Sequence, residues 1–164
     1  MAGRPPSSLA AEVLGRARNT LVVVGPSHHP PPRSRRDSLA RLAEVTWLLR
    51  EEGSGTREAT DDLLAELGLD PPRMVLGSSG AVEAAVVAGF GVTLVSIDAV
   101  RARLAAGDLV RVECPQTPID RPWHLVAAGD AALLPTAALA ARTLLEATDG
   151  FTATAEGRRL LRGR

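Results

Sequence analysis

The amino-acid sequence reads as an α/β protein in which short strands and helices alternate. Three observations carry that reading. Short apolar or β-branched runs, such as LVVV at 21–24 and VTLV at 92–95, are each followed within a few residues by a stretch with helical apolar spacing. The junctions between them are built from Gly, Ser and Thr: EEGSGT at 51–56, GSS at 77–79 and a corner at Ser96. At 164 residues, 45% of them apolar, the chain is long enough to bury a core. Alternation of this kind calls for a parallel sheet with helices on its faces.

Taken in order, residues 1–20 open with a Gly/Pro/Ser segment and continue as SLAAEVLGRARNT, which is undecided between helix and extended chain. The run 21–24, ending at Gly25-Pro26, has the pattern of a buried strand. The Pro- and Arg-rich SHHPPPRSRRDS that follows reads as a solvated connection. Ser38 is placed to cap a short helical turn, SLARLAEV, with Leu39 and Leu42 inward. The most informative stretch is 46–67, TWLLREEGSGTREATDDLLAEL: a short strand, a polar turn and an amphipathic helix. Ala59, Leu63, Leu64 and Leu67 share a helical face there, and Gly68 follows where a left-handed cap is expected.

Asp70-Pro71-Pro72 breaks the chain, and 73–76 reads as another strand. Gly77-Ser78-Ser79 opens a helix with Val82, Ala85 and Val86 on one face. Gly89-Phe90-Gly91 turns into strand 92–95, and Ser96 is expected to start a third helix, with Ile97, Val100 and Leu104 in register. Gly107 stops that helix and 109–112 is a further strand. A Pro-bounded link leads to strand 123–127, after which Pro135 opens a last helix reaching about Glu146. The tail from Asp149, ending RRLLRGR, reads as a solvated basic end.

Composition narrows the function. Tyr is absent and Phe and Trp number two each, so the core must be aliphatic. A formal net charge of zero gives no whole-domain attraction to DNA or an acidic membrane. The lone Cys114 excludes an internal disulfide and suits a reducing cytoplasm. No signal peptide is visible, and no run approaches the ~18 uninterrupted apolar residues of a membrane helix.

Catalytic motifs fail one by one. A nucleophile elbow needs Gly two places either side of Ser, and around Ser54 those places hold Glu52 and Thr56. A Walker loop needs Lys, and the chain has none. The dinucleotide fingerprint finds Glu58 where its third Gly belongs. His28 and His29 are adjacent, and His124 alternates into a strand, so neither pattern has the spacing of paired metal ligands. What remains is anion binding. Backbone N–H groups and two hydroxyls, Ser54 and Thr56, lie at a helix start, where unpaired donors and the helix dipole favour negative charge. Arg50 and Arg57 add positive charge there, while Glu51, Glu52 and Glu58 oppose it. The plain alternative is that Ser54 or Thr56 only caps the helix, although the capping box is incomplete and two glycines exceed what a cap requires.

The segments VVVGPSHHP, SLARLAEVTWLLREEGSGTRE, LGSSGAVEAAVVAGFGVTLVS, DAVRARLAAGDLVRVECP and RPWHLV follow one another in an order and spacing that resembles the effector-binding domain of LysR-type transcriptional regulators. The resemblance covers roughly residues 20 to 148 and is strongest to the branch regulating sulfur and carbon assimilation genes. It implies an α/β fold like the type 2 periplasmic binding proteins, here one complete lobe plus a partial second one. By resemblance, 1–20 is a tail with part of the first lobe and 21–27 a crossing strand. Residues 28–120 are then the second lobe, 121–148 return to the first lobe, and 149–164 are an Arg-rich tail. Ser54, Gly55, Thr56, Ser78, Ser79 and Ser96 match the family's effector-facing corners.

The resemblance further implies a small, anionic effector, a homodimer, no cofactor, no enzymatic activity and a cytoplasmic protein. DNA contact would come through a winged helix-turn-helix that has no counterpart among these residues. A stand-alone solute-binding domain of the same fold and a non-functional gene remnant are the competing readings.

Overall fold

A computed structural model describes residues 11–28, 34–128, 134–147 and 150–162. Expectations for the segment 1–10, for His29 and the Pro run after it, and for the last two residues lie outside this set. The chain divides into two compact units, Thr20–Ile119 and Met1–Asn19 with Asp120–Arg164.

The unit Thr20–Ile119 is built on β2 (Thr20–Pro26), with β1 (Ala11–Ala17) preceding it in the other unit. Antiparallel to β2 run β5 (Thr93–Ser96) on one side and β6 (Leu109–Arg111) on the other. Beyond β5 lie β3 (Trp47–Leu49) and β4 (Arg73–Val75), parallel to each other. Two bonds, Leu48 N–H to Val92 O (2.8 Å) and Val92 N–H to Thr46 O (2.9 Å), tie β3 to the start of β5 in parallel. The short β7 (Ile119–Asp120), which begins at the last residue of the unit, also pairs with β2. The expected parallel sheet is thus corrected: β2 runs antiparallel to both β5 and β6.

The apolar run of β2 has no polar alternation because both its faces are covered. Leu21 and Val23 enter a cluster with Trp47, Leu49, Leu63 and Leu64 on one side. Val22 and Val24 enter a second cluster with Leu48, Val82, Val86 and Val100 on the other. Helices α1 (Arg35–Glu44) and α2 (Gly55–Leu67) supply the first face, and α3 (Ser79–Val87) the second, with α4 (Arg101–Ala106) beside it. Trp47, fully buried, satisfies its indole N–H on Leu42 O at 2.9 Å. Gly91 permits the β3–β5 contact, since a Cβ there would stand 2.0 Å from Thr46 O. Gly68 takes the left-handed cap of α2 at φ 67°.

Helix starts differ from the sequence reading in two places. Helix α1 begins at Arg35, capped by the Ser34 hydroxyl, which accepts from Asp37 N–H at 3.2 Å. Ser38 is therefore no cap; it is buried inside the helix and donates to Glu113 O. An Asp37–Arg41 pair one turn apart supports the earlier start within the Arg-rich stretch. Ser96 likewise begins no helix. It ends β5 opposite Leu21, and the ladder reaches onward as Ile97 N–H bonds Thr20 O (2.9 Å). That pairing holds the chain extended, so α4 starts only at Arg101, although Ile97, Val100 and Leu104 still pack together.

The other unit centres on β1, paired antiparallel with β8 (Trp123–Ala128) and with β9 (Thr152–Ala153). Its core is Leu14, Ala127, Ala141 and Leu145, backed by α5 (Pro135–Glu146) and α6 (Ala155–Arg162). The expected solvated tail is corrected here: Phe151, Leu160 and Leu161 pack on that core. The Thr154 hydroxyl donates to Leu14 O at 3.0 Å and accepts from Gly157 N–H at 3.2 Å, capping α6 against β1. His124 is buried in β8 opposite Arg16. No helix among the described residues is long and apolar enough to cross a membrane.

Candidate functional site

Because β3, β4 and β5 run in one direction, the chain leaves all three at the same edge of the sheet and enters α2, α3 and the turn before α4. The expected corners therefore share one edge. In open α/β sheets this is where ligands sit, beyond the carboxyl ends of strands.

At the first corner, Gly53 turns the chain at φ 81° and Ser54 takes the N-cap position in extended conformation. Its hydroxyl makes no capping bond, so the helix start does not consume it. Gly55 and Thr56 form the first turn of α2, and the Thr60 hydroxyl donates back to Thr56 O at 2.9 Å. At the second corner Ser78 caps α3 by accepting from Ala81 N–H at 3.1 Å, and Ser79 is the first helical residue. At the third, Ser96 is half-buried at the end of β5.

Arg50, one residue past β3, joins two of these corners. Its Nη1 donates to Ser79 Oγ. Its Nε and Nη2 grip the Glu51 carboxylate at 2.7 and 2.6 Å. The Arg50 hydrogen bond, with help from Glu51's own backbone, pulls the Glu51 carboxyl down to about 2, and the same pair raises Arg50. Arg57 is turned away from the corner toward Asp61 (Nε–Oδ2 2.7 Å), with one N–H on Arg50 O at 3.3 Å.

Beneath Arg50 lies a cavity of about 50 Å³ lined by Thr56, Thr60, Ser79, Glu83 and Thr93 among aliphatic side chains. A small-molecule pocket needs ~300 Å³ or more, so a metabolite would have to lie over the corners and not inside this cavity. Of the expected residues, Thr56 and Ser79 line it; Ser54, Gly55, Ser78 and Ser96 do not. Ser54 also borders an open depression lined by Glu52, Gly53, Arg57, Glu58, Asp61 and Asp62. Thr60, Thr93 and Glu83 escaped the sequence reading. Thr60 sits at helical spacing from Thr56, a signal that was available; Thr93 and Glu83 arrive only through the sheet. Thr93 donates to Leu48 O at 2.7 Å across the β3–β5 boundary.

Burial raises the Cys114 thiol to about 12, which leaves it protonated and inert at neutral pH. Among the described residues no three His, Cys, Asp or Glu side chains are grouped to hold a metal ion.

Comparison with known proteins places this geometry. Residues 2–149 match the family model of the LysR substrate binding domain. The chain is 38% identical over 125 residues to the RuBisCO operon transcriptional regulator of Allochromatium vinosum, covering 76% of this chain and 41% of that protein. It is 33% identical over 150 residues to the HTH-type transcriptional regulator CfxR of Cupriavidus necator, covering 91% and 47%. The matched stretch thus spans less than half the length of these relatives. Among solved structures, the regulatory domain of Synechocystis PCC6803 CcmR in complex with 2-PG superposes with a TM-score of 0.70 at 25% identity, over 82% of this chain and 65% of that one. The regulatory domains of this comparison share the mixed α/β, periplasmic-binding-protein-like architecture, and the family is one of regulators, not of enzymes. The chain belongs to the LysR substrate-binding-domain family, and its matched stretch is similar to part of the RuBisCO operon regulators.

Proposed function

We propose that the corners at the carboxyl ends of β3, β4 and β5 bind a small anionic metabolite, and that this chain senses it for a regulator of carbon-assimilation genes. One observation carries the reading: Arg50 donates to Ser79 in the first turn of α3 and lines one cavity with Thr56 of the first turn of α2, so a guanidinium and two helix N-termini share one edge of the sheet. The contacts would come from Ser54, Gly55, Thr56, Ser78, Ser79 and Ser96, with Arg50 added. The 2-PG bound by the CcmR regulatory domain and the carbon-fixation names of the relatives support the choice of effector class.

The lobe assignment belongs to the same reading. Residues 28–120 are the second lobe, 21–27 a crossing strand and 121–148 the return to the first lobe. The compact unit Thr20–Ile119 supports that division. Signalling works by population shift: an effector that binds one conformation of the regulator more tightly moves the equilibrium toward it. In the whole regulator the partner is a second copy of the chain, DNA is held by a helix-turn-helix domain and the protein acts in the cytoplasm.

The test is a titration of the chain with 2-PG and with inorganic phosphate, followed by backbone amide chemical shifts. Shifts should concentrate at 50–57, 78–81 and 96–97, and Arg50→Gln should remove them. Shifts spread over the surface, or none with either anion, would sink the reading.

A further inference from the structure

The Arg50 fork at these corners is already gripped by a carboxylate of its own chain. Two parallel N–H···O bonds from Nε and Nη2 to Glu51, at 2.7 and 2.6 Å, make the bidentate pairing by which arginine recognises carboxylates and phosphates. The remaining edge of the guanidinium is on Ser79 Oγ, at the start of α3. An anion approaching the fork therefore meets Glu51 first.

We propose that Glu51 is a tethered competitor for the anion site: its carboxylate occupies the Arg50 fork and must swing out before an effector anion can bind. This rests on the anion-sensing reading above and deepens it, since Glu51 then sets the effector concentration that the domain detects.

The surroundings permit the exchange. The Glu51 side chain keeps 44% of its exposure and Arg50 24%, so the acid can regain water while the guanidinium stays held on the protein. Glu51 lies in the turn between β3 and α2, outside any strand pairing, and side-chain rotation alone releases it. Its backbone carbonyl remains in the turn, accepting from Ser54 N–H at 3.2 Å. Arg50 keeps its place through Ser79, and its own carbonyl is held by Arg57.

Glu51→Gln and Glu51→Ala test it in the full chain, with inorganic phosphate and 2-PG as probes and far-UV circular dichroism as the folding control. Removing a half-exposed competing carboxylate should tighten apparent binding of both probes by about three- to fivefold, since such pairs are of modest strength. Arg50→Gln should abolish binding in the wild-type and the Glu51→Gln backgrounds alike. Unchanged or weaker binding in folded Glu51 variants, with Arg50 still required, overturns the competitor and leaves the anion site standing. No binding of either probe by any variant overturns the anion site and the competitor with it.

Discussion

Glu51 and Arg50 show how residue-scale electrostatics is set by a neighbour and not by burial. The carboxyl falls from 4.5 to about 2 because the guanidinium bonds its charged form. A depressed carboxyl contributes its stabilisation above its unfolded pKa and loses it as pH falls through the folded value. The pair should therefore be intact at pH 5 and above and dissolve between about 4.5 and 2. Carbon-detected NMR of the Glu51 carboxyl should follow that window, and a midpoint near 4.5 would show the pair absent in solution. Gly91 is the sharpest steric constraint in the larger unit. Gly91→Ala drives a Cβ to 2.0 Å from Thr46 O and breaks the bond that starts β5. Urea unfolding should register a loss of about 2–4 kcal/mol, in the range of severe backbone conflicts.

At the scale of elements, the three serines that start helices divide by what their hydroxyls do. Ser34 and Ser78 accept from the third residue onward, Asp37 and Ala81. Ser54 makes no such bond. Ser34→Ala and Ser78→Ala should each cost about 1 kcal/mol in denaturant unfolding, and Ser54→Ala close to nothing. Equal losses at all three would mean that Ser54 is an ordinary cap and has no hydroxyl to offer a ligand. The same contrast explains why Ser96 was misread. A serine after a β-branched run fits a cap or a strand end equally well, and the choice fell to pairing with Leu21, 75 positions away by number.

For the whole molecule, the two compact units differ in how much apolar surface each buries. Thr20–Ile119 holds two clusters on opposite faces of β2, with Trp47, Val23, Val24 and Val86 fully enclosed. Among the described residues, the unit of β1, β8 and β9 holds one cluster of four buried residues. Leu134 and Leu139 of its helical part stay 71% and 67% exposed. Amide hydrogen exchange should therefore be slowest in β2, β3 and β5 and faster throughout β1 and β8. Uniform protection of both units would contradict this division.

What the sequence determined by itself was local or periodic. The unbroken apolar run of β2, the helix faces of α2 and α3, the stops at Gly68 and Gly107, and the small polar corners all depend on residues within a turn or two of one another. Only the tertiary structure decided the direction of β2 and the strand status of residues 11–17. It alone showed that the basic tail packs as α6, and that Arg50 reaches Ser79, 29 residues on. Each of these is a pairing between distant segments, and a chain's local propensities hold no record of which strand lies beside which. Thr56 and Ser79 were legible as corner residues from the local strand, turn and helix pattern. That Arg50 and Glu51 pair above the cavity they line depends on side-chain geometry that adjacency in sequence does not specify.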